Sequence, residues 1–124
     1  MPTVSVTFTA LPEHVRTARL VASAVARRMG MVQADVEAVR LAVGEACVRA
    51  VTRSRAAGAC EPVQLEMTDD DGTLTVTVRD QAPAAEAGDV ELLSLALVRG
   101  LADTVELGEA TSGGGSVLRL AWAI

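Results

Sequence analysis

The apolar positions of this chain follow two different periods, and the change from one to the other marks its elements. A period of two, typical of half-buried strands, runs through five stretches: residues 3–8, 62–68, 74–80, 104–107 and 117–124. Apolar residues three and four apart, typical of helices, occur in three stretches: residues 11–30, 33–53 and 90–102. The third helix is apolar enough to predict a mostly buried position.

The order of these elements predicts a layered fold. Polar residues at 69–72 and a glycine-rich turn at 112–116 each join two strands into a hairpin, and helices precede both hairpins. An α/β two-layer sandwich, with a mixed, mostly antiparallel sheet covered on one face by helices, buries every apolar face. The length of 124 residues and the absence of a long linker predict a single domain over residues 1–124.

Composition and charge narrow the classes of function. The net charge is −5 and the eleven basic residues are scattered arginines, which argues against nucleic-acid binding. Cys47 and Cys60 lack metal-ligand spacing, and we expect two buried or half-buried thiols in a reducing cytoplasm. We expect neither a signal peptide nor a membrane span, because no apolar run is long enough.

The second helix carries the most informative pattern. One stripe is apolar, and the neighbouring stripe places Glu45 and Arg49 beside the small residues Ala38 and Ala42. An acid four residues before a base predicts an ion pair along the helix. The space above the alanines could hold a ligand; the alternative is that the two charges solvate an exposed face.

Three motifs, in this order and spacing, give the chain a family resemblance. Residues 43–51 are similar to a Glu-Ala-x-x-Asn-Ala box, residues 76–80 to a strand that ends in an adenine-binding aspartate, and residues 113–117 to a C-terminal glycine box. The chain thereby resembles the GHKL or Bergerat-fold ATPases (HATPase_c), and among them the anti-sigma factor serine kinases.

The resemblance implies a set of site residues. Glu45 matches the acid that positions or deprotonates an attacking hydroxyl, and is a vestigial base candidate. Asp80 matches the carboxylate that accepts the adenine amino group. The turn near the nucleotide corresponds to Gly113, Gly114, Gly115 and Ser116.

The departures from the family pattern predict a damaged nucleotide site. Arg49 stands where the family has the asparagine that holds Mg²⁺, and a guanidinium has no acceptor atom. Residues 81–84 lack the glycines expected after the aspartate, and residues 90–95 lack a phosphate-binding glycine box and contain Glu91. Arg49 could instead contact phosphate directly, but Glu45 one turn away favours an internal pair. We expect no metal, and ATP with Mg²⁺ only if the site still works.

The resemblance, together with these departures from it, implies a cytoplasmic regulator of the anti-sigma factor type, a pseudo-kinase that switches between protein partners. The expected partners are a STAS-type anti-anti-sigma factor, a sigma factor, or both, and a second copy of the chain, for which the strand at residues 3–8 is a candidate edge. The apolar third helix is a second candidate interaction surface. The alternatives are an active protein serine/threonine kinase and a non-catalytic dimerisation domain.

Overall fold

Three α-helices cover one face of an antiparallel β-sheet in the computed structural model, which describes residues 2–84, 86–109 and 114–124. The strands are β1 (Thr3–Phe8), β2 (Val63–Asp70), β3 (Thr73–Asp80), β4 (Thr104–Glu109) and β5 (Ser116–Ala123). The helices are α1 (Val15–Arg28), which follows a 3-10 turn at Pro12–His14, α2 (Gln33–Ala57) and α3 (Asp89–Leu101).

The strand order in the sheet is β1-β2-β3-β5-β4, and the four pairings among the described strands are all antiparallel. Helix α2 packs between α1 and α3 and lies against β3. The two-layer α/β fold is therefore confirmed, with a purely antiparallel sheet over the described residues instead of a mixed one.

The core is aliphatic except for Trp122 and lies between α2 and the middle of the sheet. Alternate residues of β2, β3 and β5 are buried, as period-two alternation requires. The predicted apolar stripe of α2 is confirmed as the other wall; its buried members are Val36, Val39, Val43, Cys47, Ala50 and Val51. This packing fixes which side of α2 faces the sheet, and hence where its charged residues lie.

Helix α2 ends four residues later than the sequence predicted. Ala56 and Ala57, beyond the predicted end at residue 53, continue the helix, because alanine has the best intrinsic helix propensity. Gly58 ends it with a left-handed conformation (φ 65°), and its N–H donates to the Arg55 carbonyl. The first hairpin turn is likewise shorter than predicted, with only Asp71 (φ 51°) and Gly72 (φ 85°) between the strands.

The prediction that α3 is mostly buried is wrong. Its exposed residues include four large apolar ones: Val90, Leu92, Leu93 and Leu97. The buried side carries Glu91 and Ser94 along with Leu95 and Val98, since the polar residues turn towards charged side chains of α2. Despite its apolar surface, α3 is no membrane span: in the described part of the chain, no helix has both the length and the hydropathy to cross a bilayer.

The two cysteines have different surroundings. Cys47 is fully buried in the core, and this burial raises the pKa of its thiol to about 12. Cys60 is exposed in the connection before β2, so the expectation that both thiols are at least half-buried is wrong. Because the thiolate is the reactive form, burial of Cys47 disfavours reaction of its thiol at neutral pH.

Candidate functional site

Arg53, near the C-terminal end of α2, is the centre of the charged site. Its Nε donates to both carboxylate oxygens of Asp80, at 3.1 and 3.4 Å. Its Nη1 donates to Glu91 Oε1 at 3.4 Å, and its Nη2 to the carbonyl of Ala82 at 2.9 Å. All three nitrogens of one guanidinium thus connect α2 to the end of β3, to the following loop and to α3.

Asp80 is held inside this arrangement. It is 1% exposed, and besides Arg53 it accepts the backbone N–H of Ala82 at 3.0 Å. Burial raises the pKa of its carboxyl above the ordinary 3.8, while the adjacent Arg53 and the Ala82 N–H act in the opposite direction. The carboxylate oxygens of Asp80 are therefore already hydrogen-bonded to donors of the protein itself.

Arg49 lies one turn before Arg53, and its surroundings are different. Its Nη1 donates to the hydroxyl of Ser116, at the start of β5, at 3.0 Å. It is 4% exposed, and its Nε is buried without a hydrogen-bond partner among the described residues. No carboxylate in that part of the chain forms an ion pair with it. Burial lowers the pKa of this guanidinium, and the charge of Glu91 opposes the fall.

The predicted ion pair between Glu45 and Arg49 is not formed, and the alternative of a solvated face is wrong for Arg49. Glu45 accepts the hydroxyl of Ser94 at 3.3 Å and lies 4.0 Å from Nη2 of Arg19. Arg19 reaches Glu45 from α1 by crossing Gly44, where a Cβ atom would collide with its guanidinium. Contacts from other elements thus replace the local pair.

The glycine-rich turn is described only in part. Gly113 lies outside the described residues. Gly114 (φ 122°) and Gly115 (φ 104°) adopt conformations that side-chain-bearing residues rarely adopt, which explains glycine at both positions. They lead directly into Ser116 and its bond to Arg49.

Two clefts lie on either side of Arg53 and Glu91, and these two residues line each of the clefts. The first, of 390 Å³, is also lined by Arg49, Gly115 and Ser116. The second, of 530 Å³, is mostly apolar and lies between the end of α2 and the start of α3. Among the predicted site residues, Glu45, Asp80 and Gly114 line neither cleft, and Glu45 lines a separate groove beside Leu41 and Leu97.

Sequence reasoning missed the role of Arg53 and misread Glu91. The family resemblance assigns no role to Arg53 and presents Glu91 only as a departure from the phosphate-binding glycine box. The available signal was the spacing of Arg49 and Arg53, four apart on the stripe that faces the predicted nucleotide site. The structure shows Glu91 as the second carboxylate of the Arg53 cluster.

The comparison with known proteins places the chain in a family. Residues 8–122 match the model of the histidine kinase-like ATPase domain, so the chain belongs to that family, and the predicted resemblance is confirmed. A search of curated proteins found no significant match.

A solved structure shows the same fold. The crystal structure of the RsbU and RsbW domains of Rv1364c from Mycobacterium tuberculosis superposes with a TM-score of 0.78 at 18% identity, over 99% of this chain and 32% of that one. The chain therefore corresponds to about a third of the length of that protein, and the similarity concerns the fold.

Proposed function

We propose that this protein is a regulator of the anti-sigma factor type, which acts by exchanging protein partners and binds ATP weakly or not at all. Its partners would be a STAS-type anti-anti-sigma factor, a sigma factor, or both, in the cytoplasm where sigma factors work. Membership of the histidine kinase-like ATPase family and the RsbW-like fold support a kinase-derived scaffold. Residues 1–124 would act as one such domain, a pseudo-kinase.

The contact between Arg53 and Asp80 carries this proposal. By the family resemblance, Asp80 is the carboxylate that would accept the adenine amino group. Here both of its oxygens accept from Arg53, and one also accepts from Ala82. To reach Asp80, adenine would have to break its buried ion pair with Arg53. The charges of the broken pair would then be uncompensated, which is strongly unfavourable.

The phosphate end of the site supports the same conclusion. Arg49 presents donors where Mg²⁺ needs an oxygen ligand, and a cation there would meet a buried positive charge. Both buried carboxylates nearby, Asp80 and Glu91, are paired with Arg53, so neither is free to hold a metal ion or a base. The residues present therefore do not fit a magnesium nucleotide.

We expect calorimetric titration with Mg-ATP to give no saturable binding in the micromolar range, which corresponds to about −8 kcal/mol. The single substitution Arg49→Asn should not restore binding, because Arg53 still occupies Asp80. The double substitution Arg49→Asn with Arg53→Ala is the matched variant, since it frees both ends of the site.

Clear micromolar binding of Mg-ATP by the unaltered protein, or by Arg49→Asn alone, would contradict the proposal. Transfer of labelled phosphate from ATP to a STAS-type protein, abolished by Glu45→Ala, would establish the kinase alternative instead. No transfer to any such protein would remove that alternative.

We propose that the exposed side of α3 is the surface that contacts the protein partner. Leu92 and Leu93 are 55% and 62% exposed, and Leu97 is 44% exposed. Leu93→Glu should weaken partner binding by at least about 2 kcal/mol, as for a residue at the centre of an interface. It should change the free energy of unfolding by less than about 0.5 kcal/mol, because the side chain is exposed.

Surface plasmon resonance with a STAS-type protein and with a sigma factor measures this effect. Leu20→Glu is the matched control, since Leu20 is 60% exposed on α1, away from this surface. Unchanged affinity of Leu93→Glu for a partner that binds the original protein would exclude α3 from the interface.

We further propose that two copies of the chain associate through β1. This strand is at the edge of the sheet, and its apolar side continues the buried rows of β2: Val4 is paired with Met67, and Val6 with Leu65. Val4 is nevertheless 38% exposed, so the edge offers both unpaired backbone groups and apolar area to a second strand.

We expect sedimentation velocity to show a dimer that Val4→Lys converts to monomer and Leu20→Lys does not. A monomer at all concentrations would contradict this.

A further inference from the structure

Arg49 is a buried cation whose hydrogen-bonding capacity is largely unused within the described residues. A guanidinium has five N–H donors, and one nitrogen of Arg49 has a partner there, the neutral hydroxyl of Ser116. Its neighbour Arg53 takes both nearby carboxylates, Asp80 and Glu91. A buried charge without a directly paired counter-charge is costly, and an anionic ligand would lower that cost.

The surroundings of Arg49 have the form of a small binding site. It lines the 390 Å³ cleft together with Gly115 and Ser116, and Leu95 and Leu107 form apolar parts of the wall. We propose that this cleft binds a small organic oxyanion, a phosphomonoester or a carboxylate with a short apolar group, through Arg49 and without a metal ion.

Ser116 gives the site a second polar group. Its hydroxyl oxygen accepts from Arg49, which fixes the guanidinium, and its own hydrogen remains available for an oxyanion. Gly115 has no side chain, so nothing at that position projects into the cleft. Guanidinium groups bind carboxylate and phosphate oxygens by charge-assisted hydrogen bonds, often two in parallel.

Other residues of the cleft limit what the ligand can be. Glu91 and Glu109 also line it, so a ligand with more than one anionic group is repelled. Arg53 occupies the part of the site next to Asp80, which leaves no carboxylate for a purine base. A ligand with one oxyanion group and an apolar body against Leu95 and Leu107 satisfies both limits. This site does not depend on which protein partner the chain binds.

Phenyl phosphate, benzoate and inorganic phosphate are suitable probes, titrated in the presence of EDTA. We expect saturable binding of phenyl phosphate or benzoate, tighter than that of inorganic phosphate because of the apolar wall. Whichever of the two binds more tightly identifies the head group. In ¹H–¹⁵N spectra of the original protein, the largest changes should occur at the Arg49 Nε–H and at the backbone of Gly115 and Ser116.

Arg49→Gln should weaken this binding about tenfold to a hundredfold, as expected for the loss of hydrogen bonds to a charged group. Arg99→Gln, which removes an exposed arginine from α3, should leave it unchanged. If Arg49→Gln does not fold, Arg49→Lys retains the charge, and the spectra of the original protein still locate the site.

Absence of saturable binding for all three probes would overturn this inference and leave the proposed function untouched. Equal binding by Arg49→Gln, or spectral changes centred away from Arg49, would also overturn it. Binding of ATP that requires Mg²⁺ and perturbs the same resonances would contradict the proposed function as well.

Discussion

Replacement of Arg53 by methionine is expected to lower the free energy of unfolding by about 3–5 kcal/mol, the usual range when one partner of a buried ion pair is removed. The loss is large because one guanidinium serves two carboxylates, Asp80 and Glu91, and its own side chain is only 9% exposed. Urea denaturation followed by far-UV circular dichroism measures the change. Arg55→Met is the matched control: Arg55 is on the same helix but exposed, and its loss should cost less than about 0.5 kcal/mol.

The loss in free energy of unfolding caused by Arg53→Met, here called its deficit, should depend on pH in a definite direction. The folded-state pKa of Asp80 is raised above 3.8 by burial, so its ionisation lowers stability as the pH rises through that folded value. Arg53 opposes this effect, and without it the pKa of Asp80 rises further. The free energy of unfolding of the variant should therefore be closest to that of the original protein in acid, and should fall further below it as the pH rises towards neutrality.

Adding Asp80→Asn to Arg53→Met tests the cause. It removes the carboxyl that titrates, so most of the pH dependence of the deficit should disappear. A deficit of Arg53→Met that is the same in acid and at neutral pH would show that its origin is packing and not the unpaired carboxylate.

Trp122→Ala is expected to destabilise the fold by about 3–5 kcal/mol, the range for truncation of a large buried aromatic residue. Trp122 is 3% exposed on β5, and its Nε1–H donates to the carbonyl of Leu101, the last residue of α3, at 2.9 Å. Trp122→Phe keeps most of the apolar contact and should cost about 1 kcal/mol for the lost hydrogen bond. The substitutions should thus separate packing of the core from anchoring of α3.

Circular dichroism is again the suitable measurement for these variants, because Trp122 is the single tryptophan and the chain has no tyrosine. Ile124→Ala is the control: Ile124 is two residues further along the chain but 55% exposed, and should change stability by less than about 0.5 kcal/mol. Equal effects of Trp122→Ala and Trp122→Phe would show that the hydrogen bond to α3, and not burial, dominates.

The fold could be predicted because its signals are local. Alternation in β2, β3 and β5 and the apolar stripe of α2 each fall within one element, and all require the same buried layer. Helix α3 was misjudged for the same reason. Its apolar residues surround the helix, so the sequence has no stripe that says which side faces inward, and that was decided by Glu91 and Ser94.

The contacts of the candidate site could not be predicted because they join distant parts of the chain. Arg53 and Asp80 are 27 residues apart, and Arg49 and Ser116 are 67 apart. The rule for charges four apart, applied to Glu45 and Arg49, holds for an isolated helix and is worth only a few tenths of a kcal/mol. Arg19 and Ser116, from two other elements, provide competing partners that a helix alone lacks.

The Arg53 cluster also has a consequence for how this chain can change in evolution. Loss of Arg53 alone leaves two buried carboxylates unpaired, whereas exchange of Arg53, Asp80 and Glu91 together for neutral residues of similar size leaves none of the cluster's charges unpaired. The effects of substitution at these three positions are therefore strongly epistatic. Each single step away from the cluster is opposed by the other two residues, so the three positions are expected to persist or to disappear as one unit.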